Sequence, residues 1–365
     1  GTLQLGSATA LGSGATSVAS GAALDLNGQT LTSTGGLTLS GTGISSGGAL
    51  LNSSASGATF AGLLTLAGNT TITGGTGAIT LSNTGTITGN GFALTLNGAV
   101  GGSIASAIGT GTGTVTVSGA STTRWMLGGA NTYSGGTTIN AGTLKAGSAT
   151  ALGSGASTVN SGASLDLNGQ TMTSTGSLSL SGTGTSAVGA LLNSSSTGAS
   201  FAGLVRQGSS SFSIVGDAGT VTLTNPYAIY GGNGFSLGGA AGGRIESMVL
   251  DGLTKGGSGT WTLSGAYTYG AGLTISAGTL QIGDGGLNGG GPYSGTVVFS
   301  NSATLAYNLP AGATAGSTTL SGGVNYSSTV KNLALGSTLS LPGSGTSWNN
   351  TYTFVFSAAV DETAA

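Results

Sequence analysis

Residues 1–64 align without a gap on residues 142–205, and 16 of the 64 pairs differ, leaving 64 − 16 = 48 identities. The strings LDLNGQT (Leu24–Thr30 and Leu165–Thr171) and FAGL (Phe60–Leu63 and Phe201–Leu204) recur at this offset of 141. A second block, Trp125–Leu144, returns as Trp261–Leu280 at an offset of 136. Copying on this scale points to a fold whose units bury their apolar faces on one another, with insertions confined to loops. A sandwich or barrel would instead require varied strands and hairpin turns.

A finer rhythm runs inside each long repeat. Ala23–Leu26 (ALDL), Leu37–Ser40 (LTLS), Leu63–Leu66 (LLTL), Ile79–Ser82 (ITLS), Ala93–Asn97 (ALTLN) and Val115–Ser118 (VTVS) place an apolar residue at every second position, with Thr or Ser between. That period marks half-buried strands. Gly, Asn and Ser punctuate the gaps and supply tight turns. No sustained 3.6-residue period occurs. The fold class read from this pattern is all-β, a right-handed single-stranded parallel β-helix (a β-solenoid). Coils of about 20–25 residues would give roughly 15–18 coils over the whole chain.

Composition decides whether such a chain folds at all. Glycine contributes 76 of 365 residues and charged residues only 4 %, yet hydrophobic residues reach 38 % and mean hydropathy is +0.31. Disordered chains combine low hydrophobicity with high charge, so this one has the apolar surface to fold. Cysteine and histidine are both absent. Triads with a His base, Cys nucleophiles and the usual transition-metal ligands are therefore missing. Six Lys and Arg residues cannot form a phosphate-neutralising stripe or a patch for anionic lipid, which argues against nucleic acid as a partner. No run of about 18 apolar residues suggests a helix across a bilayer, so no direct membrane insertion by this segment is expected. The first residues show no cationic segment followed by an apolar stretch. The chain starts within a repeat, so sequence resembling Trp125–Ala141 is expected upstream, and whatever exports or anchors the protein is expected outside these residues.

The block Trp125–Gly147 (WMLGGANTYSGGTTINAGTLKAG) and its copy Trp261–Gly283 resemble the autotransporter-associated β-strand repeat of bacterial passenger domains. Leu127–Leu144 follows the pattern of that repeat closely; the second copy departs at Tyr267 and Ala271, where the pattern has Asn and Gly. Leu280–Gly286 followed by Gly295–Tyr307 resembles the segment that commonly follows the repeat. The resemblance implies a long β-helix exported across the outer membrane by a C-terminal β-barrel, located at the bacterial cell surface or outside it. It also implies a non-enzymatic adhesin, self-associating factor or stalk. It brings no catalytic residues. On this reading residues 1–283 form a parallel β-helix of two long repeats, about 1–141 and 142–282. Residues 284–365 then continue it to a C-terminal cap or linker, with Tyr352, Phe354 and Phe356 covering the last coil.

Few residues are candidates for chemistry. Asp217, Arg244, Glu246, Asp251 and Lys255 form the one charged cluster. Arg244 and Glu246, two apart, would share a strand face and form a surface ion pair, although Asp, Arg and Lys could also serve a polysaccharide-cleaving β-helix enzyme, the remote alternative. Asp25 and Asp166 hold the same repeat position and suit a turn cap. Asp284 lies in a glycine-rich stretch but is one carboxylate where calcium takes six to eight oxygens. Trp125, Trp261, Tyr133, Tyr269, Phe60 and Phe201 recur in register and are expected in the core. Tyr227, Tyr230, Tyr293 and Trp348 lack repeat partners and are better placed for contacts. Thr114–Thr116 suggests the hydroxyl arrays of ice-binding solenoids, but such pairs are irregularly spaced along the chain. The reading assigns no catalytic, cofactor-binding or metal-ligating set and no cofactor. It expects self-association through a nearly neutral surface, with a host or neighbouring-cell receptor or glycan as a further partner. A self-assembling extracellular fibre or matrix subunit is the alternative function.

Overall fold

The computed structural model describes residues 1–32, 35–174, 176–227, 229, 232–246, 252–265, 272–284, 295–299 and 303–307, together with the short strands Thr318–Ser321, Thr329–Val330, Leu339–Ser340 and Thr353–Phe354. Tyr230, Asp251, Tyr267, Tyr269, Ala271, Tyr293, Trp348, Tyr352 and Phe356 lie outside the described residues, as does most of the expected cap. The described chain is all-β, about 12 turns of parallel β-solenoid. Its only helical elements among the described residues are two single 3-10 turns, Ile44–Ser46 and Thr185–Ala187. It divides into two compact units, the first Gly1–Leu192 with Gly208–Ser210 and the second Asn193–Gln207 with Ser211–Ala365.

In the first unit one parallel column runs Thr30–Leu31, Ala58–Phe60, Ile79–Leu81, Gly101–Ile104, Arg124–Leu127, Gly142–Ala146 and Ala163–Asp166. A second runs Leu94–Gly98, Val115–Val117, Thr137–Ile139, Ser157–Val159 and Leu178–Gly182. Register partners set the coil length. Gly102 follows its partner Ile79 by 102 − 79 = 23 residues, and Leu144 follows Trp125 by 144 − 125 = 19. Leu50 follows Leu24, and Leu191 follows Leu165, by 26, because each of these coils carries a 3-10 turn as an outward loop. Loops therefore absorb the irregular spacing of the sequence while the strands keep register.

The period-2 pattern translates directly into burial. Leu94, Leu96, Val115, Val117, Ile139, Val159, Leu178 and Leu180 are buried, as are Leu26 and Leu167, the same repeat position on different coils. Between them Thr95, Thr116, Thr138, Thr158 and Ser179 fall in register as a hydroxyl ladder, half exposed. Spacing along the chain had argued against such an array, and strand register supplies it. It is one column deep: two residues on, Asn160 Nδ2 donates to Asn140 Oδ1 (2.7 Å).

The second unit repeats the design. One column runs Ala199–Phe201, Val221–Leu223, Gly242–Ile245, Thr260–Leu263, Gly278–Ile282 and Ala303–Tyr307. A companion column joins Phe212 of Val205–Gly216 to Phe235–Gly238, Leu253–Lys255, Leu273–Ile275 and Gly295–Phe299. Phe212 and Phe235 stack at 5.2 Å with planes 8° apart.

Each of the two described indoles has a glycine as a register partner. Trp125 pairs with Gly102 and Trp261 with Gly243, and both tryptophans are fully buried. A Cβ on Gly243 would stand 2.1 Å from the Val221 carbonyl oxygen and 2.8 Å from the Trp261 ring. Gly243→Ala should therefore cost roughly 2–4 kcal/mol, at the upper end of overpacking or beyond it because backbone must move. Gly6→Ala, where a Cβ meets open space, should change stability by less than about 0.5 kcal/mol. Denaturant midpoints of the two variants make the comparison.

Candidate functional site

The buried polar groups of the block Trp125–Ala146 bond within the solenoid. Trp125 Nε1 donates to the Asn97 carbonyl at 3.2 Å, and Trp261 Nε1 donates to that of Gly238 at 2.9 Å, each on the preceding coil. Buried Asn131 bridges its two neighbours: its Oδ1 accepts from the Ile108 amide (2.8 Å) and its Nδ2 donates to the Ala151 carbonyl (2.7 Å). Tyr133 Oη lies 2.6 Å from Thr137 Oγ1, which donates to the Leu152 carbonyl at 3.0 Å. Desolvation pushes the buried Tyr133 phenol well above its usual range, with the Thr137 hydrogen bond a smaller opposing influence. Asn131, Tyr133 and Thr137 thus hold one coil to the next, and their chemistry is fully used there.

A similar seam follows the LDLNGQT corners. Asn27 (φ 47°) and Gly28 (φ 74°) form a two-residue turn closed by the Gln29 amide on the Leu26 carbonyl (2.9 Å), and Asn168 and Gly169 repeat it. Positive φ at both central positions is what Asn-Gly provides. Asp25 accepts from the Asn27 amide at 2.9 Å and Asp166 from the Asn168 amide at 2.9 Å, so both carboxylates cap the turn as expected. Asn27 Nδ2 reaches back to the Leu5 carbonyl (3.0 Å), and the Gly28 amide reaches forward to Asn52 Oδ1 (2.9 Å). Burial desolvates the Asp25 carboxylate and raises its pKa, but hydrogen bonds from Ser53, Asn27 and Gln4 outweigh this and hold it below the usual value.

The described members of the charged cluster fall in three places. Arg244 bridges Glu246 (3.0 Å) and Asp284 (2.6 Å), with all three side chains partly exposed, so the surface ion pair is present and gains a second carboxylate. Asp217 stands exposed elsewhere. Lys255 does not join the surface group: it is fully buried, and its Nζ donates to the carbonyls of Gly256 (2.6 Å), Gly257 (2.9 Å) and Ala277 (2.9 Å). It occupies the place that Val117 holds in the first unit, before a corner two residues shorter (117 to 125 against 255 to 261). There buried Thr123 donates through Oγ1 to the Gly98 carbonyl, whereas here the lysine reaches the corner carbonyls itself. Alternation could have revealed this burial, because Lys255 has the parity of Leu253. Desolvation lowers its pKa to about 8.

Among the remaining candidates, Trp125, Trp261, Tyr133, Phe60 and Phe201 are core residues, and Tyr227 is 70 % exposed. No group of three His, Cys, Asp or Glu among the described residues could hold a metal ion. No helix among them is long and apolar enough to cross a membrane.

Residues 122–146 and 253–282 match the family model of the passenger-associated-transport-repeat. The chain therefore carries two autotransporter passenger repeats on a parallel β-solenoid. No curated protein and no solved structure matches it.

Two measurements test this account. Asn131→Ala leaves the Ile108 amide and Ala151 carbonyl unpaired, which should cost about 1–3 kcal/mol and speed hydrogen exchange at Ile108. For Lys255 the folded pKa of about 8 lies below the usual 10.5, so between these values the unfolded chain binds the extra proton. Unfolding free energy should therefore rise across that window, by at most on the order of 3 kcal/mol, and Lys255→Met should remove the rise. Asp25 has the opposite placement: its contribution is present above the usual carboxylate pKa and is lost as pH falls through its lower folded value.

Proposed function

We propose that this chain is a non-catalytic part of an exported autotransporter-type passenger, serving at the bacterial surface as an adhesive or self-associating module. One observation supports it above the others: Asn131, Tyr133, Thr137 and the indole of the matched repeat are buried and join coil to coil, while Arg124, Thr132, Ser134 and Asn140 stand exposed. Asn131, Tyr133, Thr137 and the two indoles then act in building length, and the outer face is left to make contacts. That face is rich in Thr, Ser, Asn, Gly and Ala, groups that can meet a partner without the cost of desolvating ions. A regular surface presents the same weak contact on many coils, and multivalency can strengthen it without any single strong site. Partners consistent with this face are another copy of the chain, or a receptor or glycan on a neighbouring or host cell.

The alternative of a self-assembling fibre or matrix subunit draws on the same surface. Cells displaying the chain from an outer-membrane anchor should settle faster and form larger clumps than cells displaying the anchor alone. Equal settling, together with no retention on glycan- or host-cell-coated surfaces, would return the segment to a spacer.

A further inference from the structure

The two units contain one corner twice, and the copies have opposite charge. In the first unit the Val100 amide donates to the carbonyls of Gly74 and Gly75, both at 3.3 Å; in the second the Ala241 amide donates to those of Gly216 (3.0 Å) and Asp217 (3.2 Å). The next residue pairs onward in the same manner, Gly101 with Arg124 and Gly242 with Thr260. Val100 therefore corresponds to Ala241, Gly75 to Asp217, and Arg124 to Thr260.

These replacements redistribute charge and apolar surface. The first corner carries the exposed Arg124 beside Val100, which is 40 % exposed, over an open groove of about 540 Å³ lined also by Ala78, Thr80 and Ser103. The second corner carries the exposed Asp217 flanked by the exposed Ala218 and Thr260. Among the described residues neither Arg124 nor Asp217 has an ion-pair partner; the pairs present are Lys145 with Asp166, and Arg244 with Glu246 and Asp284. The first 123 residues hold a single charged side chain, Asp25, and it is buried; on the following coil Lys145, paired with Asp166, is the nearest charge along the column.

We propose that the Arg124 corner of one copy receives the Asp217 corner of a second copy. This rests on the self-associating reading above and gives it a register. The contact joins two different patches, so each copy keeps one unsatisfied corner of each sign, and heterologous contacts of this kind can propagate into open assemblies. The ion pair selects the register and suppresses like-charged alignments, while the apolar groove and neighbouring neutral residues supply the contact area.

The full chain serves for the test, by sedimentation velocity over a range of concentration and salt. Reversing either charge, as Arg124→Glu or Asp217→Arg, replaces attraction by repulsion and should weaken association about five- to tenfold at low salt. The difference from the native chain should shrink at high salt. The double reversal should associate like the native chain, and a mixture of the two single variants should associate more strongly than either variant alone. Arg206→Glu makes the same net-charge change at an exposed arginine at the opposite end of Val205–Gly216 from Asp217, and should have no such effect. Circular dichroism confirms that each variant remains folded. A native chain that associates equally with every variant, or a double reversal that fails to recover, overturns the corner contact and leaves the self-associating reading in place. An Arg206→Glu effect equal to that of Arg124→Glu overturns it as well. A native chain that stays monomeric at every concentration overturns both.

Discussion

Each coil of this protein is held by parallel backbone hydrogen bonds to the coils before and after it. Strands of two to five residues, such as Val115–Val117 and Thr137–Ile139, bury too little to persist alone. Stacked in register, they place Leu96, Val117, Ile139, Val159 and Leu180 over one another and give each of these coils the apolar floor it lacks. Glycine-rich corners follow from this constraint, since each coil must turn sharply within a few residues to return to the same register. The two 3-10 loops mark where extra residues are expelled without disturbing that register.

Parallel stacking also determines where polar side chains can go. At a corner the chain leaves the ladder, and its carbonyls need donors from within the core. Trp125 and Trp261 supply an indole N–H, Asn131 both a donor and an acceptor, Asn27 and Asn52 a seam linking successive coils, and Lys255 an ammonium serving three carbonyls. Buried polar groups are tolerated when they are hydrogen-bonded. Lys255 is the costly solution among these, because desolvation opposes a buried ammonium whose acceptors here are backbone carbonyls. Its corner is two residues shorter than the one in the first unit, and the long side chain serves the carbonyls of Gly256, Gly257 and Ala277.

Duplication then separates scaffold from surface. Residues that set the turn, including Asp25 with Asp166 and Asn27 with Asn168, recur with the same bonds. Outward residues drift: Gly75 is matched by Asp217, Val100 by Ala241, and Arg124 by Thr260.

The sequence by itself determined the strand period, the stacking of copied units, the turn-capping role of Asp25 and Asp166, the core placement of Trp125 and Tyr133, and the pairing of Arg244 with Glu246. These are local or copied features, and alternation and turn chemistry act over a few residues. Tertiary structure decided what depends on the lengths of corners. It brought Thr95, Thr116, Thr138 and Thr158 into one ladder despite uneven spacing, because loops take up the difference before each strand pairs. It placed Lys255 in the core rather than with the surface pair of Arg244 and Glu246, and it brought Asp284 onto Arg244. It also made Arg124 and Asp217 occupants of one equivalent corner, which their offset in the chain does not reveal. Register in a parallel solenoid is fixed by hydrogen bonding between coils, so contacts between residues some twenty positions apart emerge only when the coils are stacked.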